Sequence, residues 1–163
     1  MNIKELQIGD YFRVAKDNLC ISKGTVVEIR GIDADNSFEE KNLKGCASCR
    51  PLDKYQFNGG IWVEHLEPIP LTAELLEKNG FRKITLDNVD KGTTDYYIDP
   101  DIVGNYNMDK RERVHASQIV YIIGQKWLFV DDKTECRIEM WCPYVHTFQH
   151  ALRLCGIEKN IEP

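Results

Sequence analysis

The run Trp62-Val63-Glu64-His65-Leu66-Glu67-Pro68-Ile69-Pro70-Leu71-Thr72-Ala73-Glu74-Leu75-Leu76 decides the architecture, because two unlike halves of the chain meet in it. Pro68 and Pro70 cannot donate to a sheet interior, so the strand that starts at Ile61-Trp62-Val63 must stop there. Thr72 then offers its side-chain oxygen to the free amides of a starting helix. Glu74 sits in the first turn, where the positive end of the helix dipole favours a carboxylate. Gly80 stops this helix, and Phe81 is placed for the apolar contact that accompanies a glycine C-cap. The spacing predicts a short helix over 73–79.

Upstream of the junction the text is short β-strands. Tyr11-Phe12-Arg13-Val14 alternates apolar and polar positions after Gly9-Asp10, and Gly24-Thr25-Val26-Val27-Glu28-Ile29-Arg30 is rich in β-branched residues. Residues 33–42 are polar and read as an exposed loop. A third strand is expected from Leu43 to Leu52, and Asn58-Gly59-Gly60 reads as a turn. The pattern Gly-Asp-x-x-x-Val, Gly-x-Val-x-x-Ile and Trp-Val-x-x-Leu-x-Pro-Ile resembles SH3-like small barrels. That resemblance implies an N-terminal SH3-like small β-barrel over residues 1–70, a fold that does not by itself name a ligand.

Downstream, residues 71–163 read as an α+β domain: an antiparallel β-meander flanked by the short helix and a C-terminal helix. Arg82 to Leu86 and Asp95 to Ile98 are strands joined by the polar loop Asp87–Gly92. Ile119–Ile123 and Lys126–Val130 flank Gly124-Gln125, which predicts a two-residue type II′ hairpin. Cys136, Ile138 and Met140 alternate with charged residues in a half-buried strand. Pro143 opens a helix over about 144–155 that Gly156 ends, followed by a short polar tail.

Composition narrows the function. A charged fraction of 29% and an apolar fraction of 42% fit an ordinary globular protein. The net charge of −5 is spread evenly, with 9 basic and 11 acidic residues up to position 72, so no cationic half drives binding to nucleic-acid phosphates. The N-terminus lacks a signal-peptide core and no apolar run reaches membrane-span length, so a cytoplasmic protein with reduced cysteines and no membrane partner is expected.

On the closing helix, His146, His150 and Arg153 fall within about 60° of one another at 100° per residue. They lie opposite the apolar arc Tyr144, Val145, Phe148, Ala151, Leu152 and Cys155. The histidines have the i, i+4 spacing of helical zinc sites, but the glutamate of a zinc protease is missing beside His146. They read either as a solvated or interface face or as an anion or nucleotide contact that presents donors to a phosphate. Cys46-Ala47-Ser48-Cys49 is a Cys-x-x-Cys without a second pair, so Cys46 and Cys49 are candidate metal ligands only if Cys20, or His146 and His150, complete the set. Arg111 and Arg113, with His115 nearby, form a basic cluster on a polar connection that reads as solvated or as an anion contact. Asp99-Pro100-Asp101 reads as a turn sooner than as a metal site. Trp62, Trp127, Trp141 and the tyrosines are expected mostly in the core, with Trp62 a candidate to meet a flat base or an aromatic anchor. No cofactor is implied.

The stretch from Glu67 to Phe81, together with Tyr144-Val145-His146-Thr147-Phe148-Gln149-His150-Ala151-Leu152-Arg153-Leu154-Cys155-Gly156-Ile157, resembles a family of small uncharacterised proteins of Bacteroides-type bacteria, their phages and mobile elements. The resemblance carries over no catalytic residue. It implies a phage or mobile-element setting, in which a non-enzymatic protein sequesters a host molecule, either a defence-signalling nucleotide or a host defence protein. A ligand shared across a symmetric interface would favour a homo-oligomer. The alternatives are a nucleic-acid accessory module that uses the barrel, which the charge balance opposes, and a metal-dependent hydrolase built on Cys46, Cys49, His146 and His150.

Overall fold

Asp10 starts the first sheet. Its carboxylate is fully buried and accepts a hydrogen bond from the Gln7 amide at 2.8 Å, while Gly9 N donates to Ile29 O at 2.8 Å. This turn aims the chain into β1 (Tyr11–Val14), where Phe12 and Val14 point inward and Tyr11 and Arg13 outward. In the computed structural model, which describes residues 2–17, 21–38, 43–53, 59–88, 92–100, 118–131 and 137–163, the fold is α+β, with two five-stranded antiparallel sheets. The chain divides into two units, Met1–Ile69 and Pro70–Glu162.

The first unit adds β2 (Val26–Phe38), β3 (Leu43–Pro51), β4 (Gly59–Trp62) and β5 (Leu66–Pro68), in the order β4-β3-β2-β1-β5. A 3-10 turn, Val63–His65, separates β4 from β5. Phe12, Val27, Ile29, Ala47, Ile61 and Val63 fill the core beneath the sheet. β4 and β5 lie at opposite edges and are not paired with each other among the described residues, so the expected barrel is met only as far as a five-stranded antiparallel sheet.

Residues 33–38 are not the expected loop. β2 runs on to Phe38 and pairs Ser37 with Lys44 and Phe38 with Leu43, after register shifts at Ile29/Gly31 and Asp33/Ser37. Backbone pairing with β3 satisfies the peptide groups there whatever the side chains, so the polar composition misled. Residues 39–42 and Asn58 lie outside the described residues, and Gly59 and Gly60 are part of β4.

The second unit opens with α1 (Ala73–Lys78), capped by Thr72, whose hydroxyl accepts from Leu75 N at 3.3 Å. β6 (Arg82–Asn88), β7 (Gly92–Ile98), β8 (Gln118–Ile122), β9 (Trp127–Asp131) and β10 (Arg137–Trp141) follow in the spatial order β10-β9-β8-β7-β6, and α2 (Val145–Leu154) closes the unit. Both helices end in the same way. Gly80 and Gly156 take left-handed φ of 85° and 70°, and the next residue donates back into the helix, Phe81 N to Leu76 O at 3.0 Å and Ile157 N to Leu152 O at 2.9 Å. One sheet face carries Tyr97, Tyr121 and Leu128, all buried, and meets the helices. Phe148 of α2 packs edge-on against Tyr121 (5.4 Å between ring centres) and Phe81 (5.7 Å), and Tyr121 donates to Cys142 O at 2.8 Å.

Four expectations for this half change. The β8–β9 turn holds four residues, Ile123 to Lys126, closed by Gln125 N to Ile122 O at 3.2 Å. The left-handed residue is Lys126 (φ 60°) and not Gly124, so the type II′ hairpin does not form. The Asp87–Gly92 loop is shorter than expected, because β6 and β7 stay paired as far as Asn88 and Gly92; residues 89–91 lie outside the described residues. The polar tail is docked: Ile161 is fully buried, Lys159 Nζ lies 2.5 Å from a carboxylate oxygen of the buried Asp99, and the Asn79 amide and Glu162 backbone exchange two hydrogen bonds. Trp127 and Trp141 are 38% and 59% exposed, outside the core to which the tryptophans were assigned. Among the described residues, no helix is long and apolar enough to cross a membrane.

Candidate functional site

The site is built on α2. Pro143 precedes the helix, and Thr147 fixes its first turn: Tyr144 N donates to the Thr147 hydroxyl at 3.2 Å, and that hydroxyl donates to Tyr144 O at 2.8 Å. Phe148, Ala151 and Leu152 then lock one side of the helix into the core of the second unit. This sets the orientation of the other side, where His146, Gln149, His150 and Arg153 recur at helical spacing.

That other side is not fully solvated, which leaves the interface and anion-contact readings of it. His146 is 4% exposed and Gln149 1% exposed, while His150 and Arg153 are half-buried. The rings of Tyr144 and His146 stack 5.7 Å apart and 8° from parallel, and His146 meets His150 edge-on at 5.8 Å. At i+3 from His146 the same side of the helix carries the buried amide of Gln149. Neither its Nε2 nor its Oε1 has a hydrogen-bond partner among the described residues. A buried amide without partners costs about 1–3 kcal/mol, so an amide that finds none among the described residues is a signal of an outside partner. No protein-family model, curated protein or solved structure matches this chain.

The structure brings His146 and His150 together with Tyr144; Gln149 is buried on the same helix, and Arg153 follows one turn beyond Gln149 along α2. Trp62 belongs to the first unit, half-buried on β4 opposite Cys46 of β3. Arg111, Arg113, His115, Cys20, Cys136 and Asp101 lie outside the described residues. Asp99 is held by Lys159, and Pro100 after it is in a turn, as the sequence suggests.

The shared metal pair Cys46 and Cys49 is corrected by strand geometry. Buried and outward residues alternate strictly along β3, which puts Cys46 on the outer face and Cys49 on the core face. Two sulfurs on opposite faces cannot close on one ion. Burial pushes the Cys49 thiol up to about 12, with Cys46 adding to the rise, and burial also raises Cys46. Cys142 is likewise pushed up to about 12 by burial, so both core cysteines stay neutral thiols. Among the described residues no group of three His, Cys, Asp or Glu side chains is placed to hold a metal.

Sequence reasoning missed Gln149 and assigned Tyr144 to the packed arc. The signal was present: Gln149 sits at i+3 from His146, inside the same stripe. It was passed over because an uncharged amide carries no charge or metal-ligand signature to single it out.

Proposed function

We propose that this chain is a non-enzymatic binding protein of the cytoplasm, of phage or mobile-element origin, that sequesters a defence-signalling nucleotide on the polar side of α2. The observation that carries this reading is Gln149, whose buried amide presents a donor and an acceptor that nothing described in the fold engages. A side-chain amide of this kind pairs in a bidentate manner with the N6 and N7 edge of adenine. Tyr144 and His146 supply flat rings for the base, and the half-buried Arg153 supplies a fork of donors for phosphate. The phage or mobile-element setting rests on the two motifs at Glu67–Phe81 and Tyr144–Ile157.

The strand order β4-β3-β2-β1-β5 and the 3-10 turn between β4 and β5 support reading the first unit as an SH3-like small barrel. Its outward arginines are poor candidates for nucleic-acid phosphate, because Glu28 engages Arg50 at 2.6 Å and Arg30 at 3.0 Å. The accessory-module reading is therefore not favoured.

Calorimetric titration with linear and cyclic adenine nucleotides tests the proposal. Saturable heat is expected from at least one of them and is expected to be lost in Gln149→Leu. No heat from any nucleotide would refute the ligand class and leave a host defence protein as the partner.

A further inference from the structure

The outer face of the second sheet, away from the helices, carries an apolar row that crosses all five strands. The register Ile84↔Tyr96↔Ile122↔Trp127↔Trp141 places one such residue from each strand side by side. In an antiparallel sheet directly opposite residues share a face, so this is the face opposite Tyr97, Tyr121 and Leu128. The row is open to water: Trp141 is 59% exposed, Trp127 is 38% exposed, and Ile84, Tyr96 and Ile122 are half-buried. Two exposed tryptophans opposite each other at the end of a continuous apolar row make a patch of the kind that marks an interaction surface.

The charges flanking the row name its occupant. The next register, Arg82↔Ile98↔Val120↔Phe129↔Glu139, begins on β6 with an exposed arginine and ends on β10 with an exposed glutamate. Neither charge has an ion-pair partner among the described residues. A two-fold axis lying in the interface and running along the central strand β8 exchanges the two edges of the sheet. It sets Arg82 of one copy against Glu139 of the other, twice, while the aromatic rows face each other. A two-fold across the strands would instead lay like edges together. The favoured axis also keeps the two sheets' strands aligned, the common way sheets stack, about 10 Å apart.

We propose that this face is a symmetric dimer interface for a second copy of the chain, with Trp127 and Trp141 as its anchors and Arg82–Glu139 as its paired charges. Its basis is independent of the nucleotide reading. A five-stranded face about 20 Å on a side would bury roughly 800 Å² in total, below the standard size of stable interfaces, so the dimer should be weak and form only in the upper micromolar range.

Sedimentation velocity over a dilution series tests this. The wild-type chain is expected to shift from 18.9 kDa to twice that mass as concentration rises. Trp141→Ser should weaken association by about 30-fold, the effect of removing an interface anchor. Arg82→Glu and Glu139→Arg should each weaken it by about 3- to 10-fold, and the double exchange should return it to within about twofold of wild type. Both charged positions are exposed, and far-UV circular dichroism checks that these variants fold. A protein monomeric up to about 300 µM would overturn the proposal, as would a dimer indifferent to Trp141→Ser, or single exchanges not rescued by the double.

Discussion

The two units share an architecture, five antiparallel strands each, and differ in how many polar side chains they bury and in which apolar ones they expose. In the first unit the charged pairs settle within the unit, with Glu28 holding Arg30 and Arg50 and Arg13 near Glu67 at 3.9 Å, and the large apolar side chains left exposed are the aliphatic Ile8, Ile32 and Leu52. Asp10 is its one buried charged or polar residue among those described, and it accepts the Gln7 amide. The second unit places Asp99, His146 and Gln149 inside and leaves Trp127 and Trp141 outside. Folding alone rewards the first arrangement. The second raises the free energy of the isolated chain at the Gln149 amide and at the exposed tryptophans, and such local conflicts are characteristic of places where a protein meets something else. The contrast assigns framework duty to the first unit and recognition to the second.

The largest way to break this contrast is through the docked tail. Lys159→Met leaves the fully buried Asp99 carboxylate without its cation, at a cost of about 3–5 kcal/mol. Urea unfolding should show the second unit melting first, with the first unit's transition unmoved. A single displaced transition for both would show that the units do not unfold separately.

Alkaline pH separates the units next. Cys49 in the first unit and Cys142 in the second are both held to about 12, and burial also raises Tyr121 of the second. Each group is neutral when folded and ionises earlier when unfolded. Their contribution is therefore whole below about pH 9 and is lost as pH climbs toward 12, by about 1.4 kcal/mol per pH unit for each cysteine. The second unit, with Cys142 and Tyr121 together, should unfold at the lower pH, as read by circular dichroism. The smallest effect is expected at the surface: Leu154→Ala, at a position 78% exposed at the end of α2, should change the stability of the monomer by no more than about 0.5 kcal/mol in chemical denaturation.

Local chemistry made much of the fold legible. Thr72, Glu74, Gly80 and Phe81 defined α1 because capping is settled within a few residues, and Pro143 and Gly156 bounded α2 for the same reason. Where pairing partners decided the structure, the sequence was a poor guide. Residues 33–38 became strand because β3 lies beside them, and the β8–β9 turn took four residues with Lys126, not Gly124, in the left-handed conformation. The candidate site was half legible. Helical spacing grouped His146, His150 and Arg153, but burial on the polar side of α2 is a tertiary fact. The significance of Gln149 depends on which atoms surround its amide, which no periodicity encodes. The exposed tryptophans were likewise hidden, since alternation tells which residues share a face but not which face is covered.

Gln149→Leu is the most direct test of the claim that the second unit holds a polar group in reserve for an outside partner. Leucine removes an amide that finds no partner among the described residues and keeps the apolar bulk, so the variant should be more stable than wild type by about 1–2 kcal/mol. Thermal denaturation of the two proteins side by side should then give the higher melting temperature to the variant. A lower melting temperature would mean that the amide is already satisfied within the fold, and the account of a site awaiting its ligand would be contradicted.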